Sequence, residues 1–166
     1  MFLKNYTSEV PVSQTIYRIE QVLIRCGVSG ITKEYGPVPN NEVTAIRFHL
    51  TLETGQEVTV RLPADVKKAE DALWANYAGA DLGSDGKIAW NSRKKLKRAD
   101  FADQAKRTAW KIVQDWIEVQ MSMIQMRQAE FIEVFLPYVW DGRTTVFGRI
   151  KESGFRALLP EKTEAA

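Results

Sequence analysis

Apolar residues recur along this chain at three different periods, and each period predicts a different element. Near the start, Ile16, Ile19, Leu23 and Cys26 are three or four positions apart, which puts them on one face of a helix. Ser13 stands where an N-cap accepts a free backbone N–H, and Val12 is placed to pack on Tyr17 as a hydrophobic staple. Gly27 can take the left-handed conformation that stops the helix.

The period then falls to two. A first strand over 31–35 ends at the turn-rich run Gly36, Pro37, Val38, Pro39, Asn40, Asn41. Over 43–53, Ile46, Phe48, Leu50 and Leu52 alternate with Arg47, His49, Thr51 and Glu53. Over 57–62, Val58, Val60 and Leu62 alternate with Thr59 and Arg61. A one-residue slip would turn every side chain over. Matching the apolar faces sets Leu52 opposite Val58 and His49 opposite Arg61, which requires an odd-length turn around Thr54, Gly55 and Gln56.

Helical spacing returns after Asp65, which is placed to cap a helix over 65–77. A polar, Gly-rich stretch over 78–87 reads as a mobile loop. The longest helix is expected over 100–136, closed by Pro137. Asp141 and Gly142 form a turn, Thr144 is placed to cap a short helix ending at Glu152, and Gly154 stops it. The long helix carries two apolar stripes. One is Ala105, Ala109, Ile112, Trp116, Val119, Met123 and Met126, in alternating steps of four and three that make a heptad seam. The other is Trp110, Val113, Ile117, Ile124, Phe131 and Val134. A helix lying on a monomer needs one apolar face, so the second stripe predicts a homo-oligomer. The fold class expected is α+β: a small antiparallel three-stranded sheet flanked by helices, with one long C-terminal helix packing on the core and on another subunit. A single domain covers 1–160, and 161–166 reads as a flexible tail.

Composition keeps this picture within ordinary globular bounds: 166 residues, 45% hydrophobic and 27% charged. No apolar run is long enough to cross a bilayer, the N-terminal stretch lacks a signal-peptide core, and the single Cys26 fits a reducing cytoplasm. Charge changes the picture more. Between Arg93 and Lys111 stand eight basic residues, Arg93, Lys94, Lys95, Lys97, Arg98, Lys106, Arg107 and Lys111, against Asp100 and Asp103. That segment carries +6 in a chain of net charge +2, which leaves −4 for the rest. Positive charge is disfavoured at a helix N-terminus, so the cluster is expected to face an anionic partner, with Trp90, Phe101 and Trp110 near enough in sequence to stack on bases. Arg47, His49 and Arg61 on the outward face of the hairpin form a secondary anion-binding candidate.

Catalytic chemistry has little to work with. His49 is the only histidine, so any Ser–His–Asp or Cys–His arrangement must use it. Cysteine and histidine are not clustered for zinc, no glycine-rich phosphate loop is present, and neither a cofactor nor a metal is expected. Asp81, Asp85 and Gly86 faintly match a calcium loop, but Gly83 and Ser92 occupy two of its ligand positions.

Across roughly residues 10–160, carried by VPVSQTIYRIEQVLIRCGVSGITKEYG, AIRFHL and AWKIVQDWIEVQMSMIQMRQAEFIEVFLPYVWDG, the chain resembles a family of small uncharacterised proteins encoded by bacteriophages and prophages. The resemblance implies life in the cytoplasm of a host bacterium and carries over no catalytic residues. The function expected is a non-enzymatic phage accessory protein that binds nucleic acid through the basic segment. The alternative is an anti-defence protein that captures a host protein or a small phosphorylated nucleotide signal.

Overall fold

Alternating apolar residues give strands β2 (Val43–Thr51) and β3 (Glu57–Pro63), with β1 (Gly30–Tyr35) ahead of them, in a computed structural model that describes residues 3–80 and 96–158. The helices are α1 (Val12–Arg25), α2 (Val66–Ala80), α3 (Ala102–Gln125), α4 (Phe131–Phe135) and α5 (Val146–Glu152). The class is α+β, as the patterning predicts. The chain divides into two compact units, Met1–Cys26 with Pro63–Met121 and Gly27–Leu62 with Ser122–Ala166. The expected tail, 161–166, lies outside the described residues.

The second unit holds the sheet, in the order β1-β2-β3. Strands β1 and β2 pair antiparallel with Thr32 opposite Arg47 and Gly30 opposite His49, and the register shifts after Glu34. Ile46, Phe48, Val60 and Leu62 are buried on one face. Phe48 meets Phe131 and Phe135 of α4 edge-on at 6.1 and 5.4 Å, an arrangement that suits the positive edge and negative face of aromatic rings. Val139 pairs with Val60, and the Trp140 N–H donates to the Thr59 carbonyl at 2.8 Å, so a short segment extends the sheet beside β3.

The β2–β3 turn is odd in length, as expected, but its register is corrected by two residues. The Leu52 N–H donates to the Gln56 carbonyl at 2.7 Å, Gly55 takes φ 81°, and His49 meets Thr59 rather than Arg61. A two-residue slip keeps every side chain on its face, so alternation alone does not distinguish the two registers.

In the first unit, Thr15, Ile16, Ile19 and Leu23 of α1 are buried; Gly27, the first residue of the second unit, follows the helix end at φ 84° as expected. The cap is Pro11 and not Ser13, which falls inside the first turn, and Tyr17 stays exposed. Asp65 caps α2 by accepting from the Lys68 N–H at 3.1 Å.

The long helix is shorter than its pattern. A 3₁₀ turn, Arg98–Phe101, leads into α3, which stops at Gln125 instead of continuing to 136. The Gln128 N–H donates to the Met123 carbonyl and the Arg127 N–H to the Ile124 carbonyl, with Arg127 at φ 58°. These two bonds form a Schellman ending. Arginine occupies the position that glycine normally marks, so the stop carries no sequence signal. Phe131 and Val134 therefore belong to α4. Within α3 the buried line is Trp110, Gln114, Ile117 and Met121, together with Ala105, Thr108 and Ala109. Of the expected heptad stripe, Ala105 and Ala109 are buried, whereas Val119 and Met126 are 55% and 61% exposed. Gln114 tolerates burial because its amide donates to Glu118 and accepts from Lys111. Likewise, buried Thr108 donates to the Asn5 carbonyl and accepts from Gln104.

At the chain's C-terminal end, Asp141 accepts from the Arg143 and Thr144 N–H groups, both at 2.9 Å, and Gly142 takes φ 99°, which is the expected turn. Thr145, one residue after the expected Thr144, caps α5 by accepting from the Gly148 N–H. Gly154 at φ 69° ends that helix.

Candidate anion-binding surfaces

The basic segment lies partly outside the described residues: Arg93, Lys94, Lys95 and Trp90 do, as do Asp81, Gly83, Asp85, Gly86 and Ser92 of the faint calcium pattern. Lys97 and Arg98 stand exposed at the 3₁₀ turn before α3. The Lys97 N–H donates to Asp100 Oδ2 at 2.7 Å, so an acidic side chain answers the positive helix end directly.

Several of the segment's cations are held by other parts of the first unit. Arg98 donates from Nε to Glu70 at 2.6 Å and from Nη2 to Asp71, both on α2. Lys106 pairs with Asp103 at 3.2 Å. Lys111 pairs with Asp115 at 3.0 Å. Arg107 is held by neutral acceptors, the Ser8 carbonyl and the Gln104 amide oxygen, so its charge has no adjacent carboxylate in those bonds. Asp115 also pairs with Lys4 at 2.8 Å and accepts from Asn5. Burial alone would raise its pKa. Hydrogen bonds from Lys4, Asn5 and Lys111, with the Lys111 charge, outweigh that and hold it at about 2.

Beside this turn sits an aromatic cluster. Trp74, Tyr77 and Phe101 have ring centroids 5.4 to 6.1 Å apart, and all three are half-buried. The Leu96 N–H reaches the Tyr77 hydroxyl at 3.4 Å. Trp110 is 1% exposed and cannot stack on a ligand. Trp74 and Tyr77 were not legible as partners of Phe101, since they come from a different helix.

The sheet brings Arg47 and Arg61 together around one carboxylate. Arg61 forks onto Glu34, with Nε to Oε1 at 3.0 Å and Nη2 to Oε2 at 2.8 Å. Arg47 Nε lies 2.9 Å from Glu34 Oε1, and its guanidinium carbon lies 4.9 Å from the centre of the Trp140 ring. The Arg61 hydrogen bonds, aided by both arginine charges, outweigh burial and lower the Glu34 pKa. Glu34 was legible only as a polar position on β1, and Trp140 enters from almost a hundred residues away with no local signal.

His49 joins the same strand face, 3.0 Å from Thr59 Oγ1 and 3.7 Å from Glu57 Oε1. Both contacts use Nδ1. A relay in which a carboxylate orients the ring while the other nitrogen activates a hydroxyl needs both nitrogens, and this arrangement does not supply it. Burial pushes the Cys26 thiol pKa up, which disfavours the reactive thiolate. Among the described residues, no group of three or more His, Cys, Asp or Glu could hold a metal ion, and no helix is long and apolar enough to cross a membrane. No family model, curated protein or solved structure matches the chain.

Proposed function

We propose that the chain is a non-enzymatic accessory protein that binds single-stranded nucleic acid through the start of α3, and that it does so as a homo-oligomer. The observation that carries this reading is the half-buried cluster of Trp74, Tyr77 and Phe101 beside exposed Lys97. Single-strand binding without sequence preference combines aromatic platforms with a positive track. In a phage setting, which the resemblance implies, such a protein would act inside the host cell.

In this reading the work is uneven: Arg98 is engaged by two carboxylates, so the phosphate contacts are expected chiefly from Arg93, Lys94, Lys95, Lys97 and Arg107. Lys106 and Lys111 are in ion pairs of their own, of which that of Lys106 is with exposed Asp103 and easily exchanged. Exposed Val119 on α3 and Met126 just past its end are the residues a second copy would cover.

The test is a salt titration of binding to a labelled oligonucleotide. Replacing Arg93, Lys94, Lys95 and Lys97 with Ala should reduce the slope of log affinity against log salt by about 3, at roughly 0.7 per lost single-strand phosphate contact. The loss should be equal on all sequences. An unchanged affinity in this variant eliminates the reading. Native mass measurement on the same preparations reports the oligomer, and a monomer at working concentration removes that part of it.

A further inference from the structure

Arg47 is paired with Glu34 in a way that leaves N–H donors over. A guanidinium carries five N–H donors. Arg47 Nε is shut away from solvent and makes no hydrogen bond, although it lies 2.9 Å from Glu34 Oε1, because it is not aligned on that oxygen. The fork of hydrogen bonds to Glu34 belongs to Arg61 instead. Among the described residues the terminal nitrogens of Arg47 have no acceptor either.

The side chain is nevertheless held in place. Trp140 lies against its guanidinium and Glu34 fixes its Nε end, leaving the side chain 29% exposed. Two arginines share one carboxylate here, so the cluster keeps an excess positive charge. The β1 positions that neighbour Arg47 and His49 on this face are small and polar. Exposed Thr32 is directly across β1 from Arg47, and Gly30 is across from His49. A Cβ on Gly30 would lie 3.3 Å from His49 Cδ2, so the absence of a side chain there leaves the imidazole open on that side. The carboxylate of Glu57, 62% exposed, lies 3.7 Å from His49 Nδ1 at this end of the face.

We infer that Arg47 anchors a second anion site, independent of the nucleic-acid reading, that takes a phosphoryl group, either free inorganic phosphate or a phosphate monoester. Two phosphoryl oxygens match the parallel terminal N–H groups of a guanidinium. The third can accept from the Thr32 hydroxyl. Arg61 and Glu34 position Arg47 and do not touch the ligand. A pre-oriented guanidinium loses less side-chain freedom on binding than a free surface arginine.

The experiment is an NMR titration of the full chain, following the Arg47 Nε–H and the Thr32 amide, with sodium phosphate at constant ionic strength against chloride. Saturable shifts centred on these two groups are expected. Arg47→Gln should weaken phosphate at least roughly tenfold and Thr32→Val about threefold. Adenosine monophosphate binding tighter than phosphate identifies an ester as the ligand, and equal affinity identifies the free anion. The inference is overturned if phosphate gives no saturable shift beyond chloride, if acetate binds as well as phosphate, or if Arg47→Gln leaves the affinity unchanged. Should Arg47→Gln fail to fold, Thr32→Val decides alone, and parental affinity in it overturns the inference. The Arg93, Lys94, Lys95 and Lys97 quadruple variant should keep the phosphate shifts intact, which separates this site from the nucleic-acid surface.

Discussion

Two regions of the molecule bring arginine to carboxylate in opposite proportions. At the start of α3 one guanidinium, Arg98, meets two acids, Glu70 and Asp71, and its side chain is 45% exposed. On the sheet two guanidiniums, Arg47 and Arg61, meet one acid, Glu34, and the three side chains are only 20 to 31% exposed. The densest basic run in the sequence thus contains a cation with a local excess of acid, and a sparse pair of arginines on neighbouring strands keeps an excess of base. Counting lysines and arginines along a chain measures charge before folding. What a ligand meets is the charge left after the fold has paired it, weighted by how well water screens each pair.

Glu34 holds both guanidiniums of the sheet cluster, so its removal should have the greatest effect. Replacing Glu34 with Ala leaves two partly buried guanidiniums facing each other with no counter-charge. Loss of one partner of a fully buried pair costs 3–5 kcal/mol, and the residual exposure puts Glu34→Ala near the lower end, at about 3 kcal/mol by urea unfolding. Glu34→Gln should cost less, because its amide oxygen still accepts one arm of the Arg61 fork, and it should bind phosphate more tightly than the parent, because the excess charge rises. Glu34→Ala as stable as the parent would show that the sheet cluster is a solvated surface like the one at Arg98.

Asp115 sharpens the comparison from the first unit, because it too serves two cations, Lys4 and Lys111, and is 19% exposed. Its pKa is depressed from 3.8 to about 2. A lowered folded-state pKa means that the stabilisation is fully present above the unfolded value and is lost as pH falls through the folded one. The window is therefore from roughly pH 4 down to pH 2, and at 1.36 kcal/mol per unit the contribution is at most about 2 kcal/mol. Asp115→Asn should flatten the acid limb of a stability–pH curve in that window while leaving its shape above pH 5 unchanged. Persistence of the full acid limb in the variant would assign it to other carboxylates, Glu34 first.

The sequence patterning reached as far as local physics reaches. Period two located β2 and β3, a turn-rich run bounded β1, and Asp65, Gly27 and Gly154 marked helix ends, because these depend on residues close in the chain. The apolar face of α1 was legible for the same reason. The β2–β3 register was not, since Phe48 and Val60 stay inward under a shift of two. The end of α3 at Gln125 was not, since Arg127 adopts a left-handed φ without glycine to announce it. Gln114 and Thr108 on the buried face of α3 look like surface residues until their partners Glu118, Lys111, Asn5 and Gln104 are known. Of the anion candidates, alternation correctly placed Arg47 and His49 on one strand face. Their meeting with Trp140 and Glu34 depends on tertiary pairing that no local pattern encodes.

The smallest expected effect tests the acid-rich side of the comparison. Arg98 is exposed, so its ion pairs are screened and costly in side-chain freedom, and neutralising its partners should matter little for folding. Glu70→Gln with Asp71→Asn is expected to leave the melting temperature within about 2 °C of the parent. Binding should respond differently. With its acids neutralised, Arg98 becomes available to a phosphate, and the salt slope for single strands should steepen by about 0.7, the value of one added contact. Arg98→Ala in the parent, by contrast, should leave that slope unchanged, because the guanidinium was already engaged. If Arg98→Ala flattens the slope as much as Lys97→Ala does, then the two carboxylates do not withhold Arg98 from ligand, and local stoichiometry is the wrong guide to which cations are free.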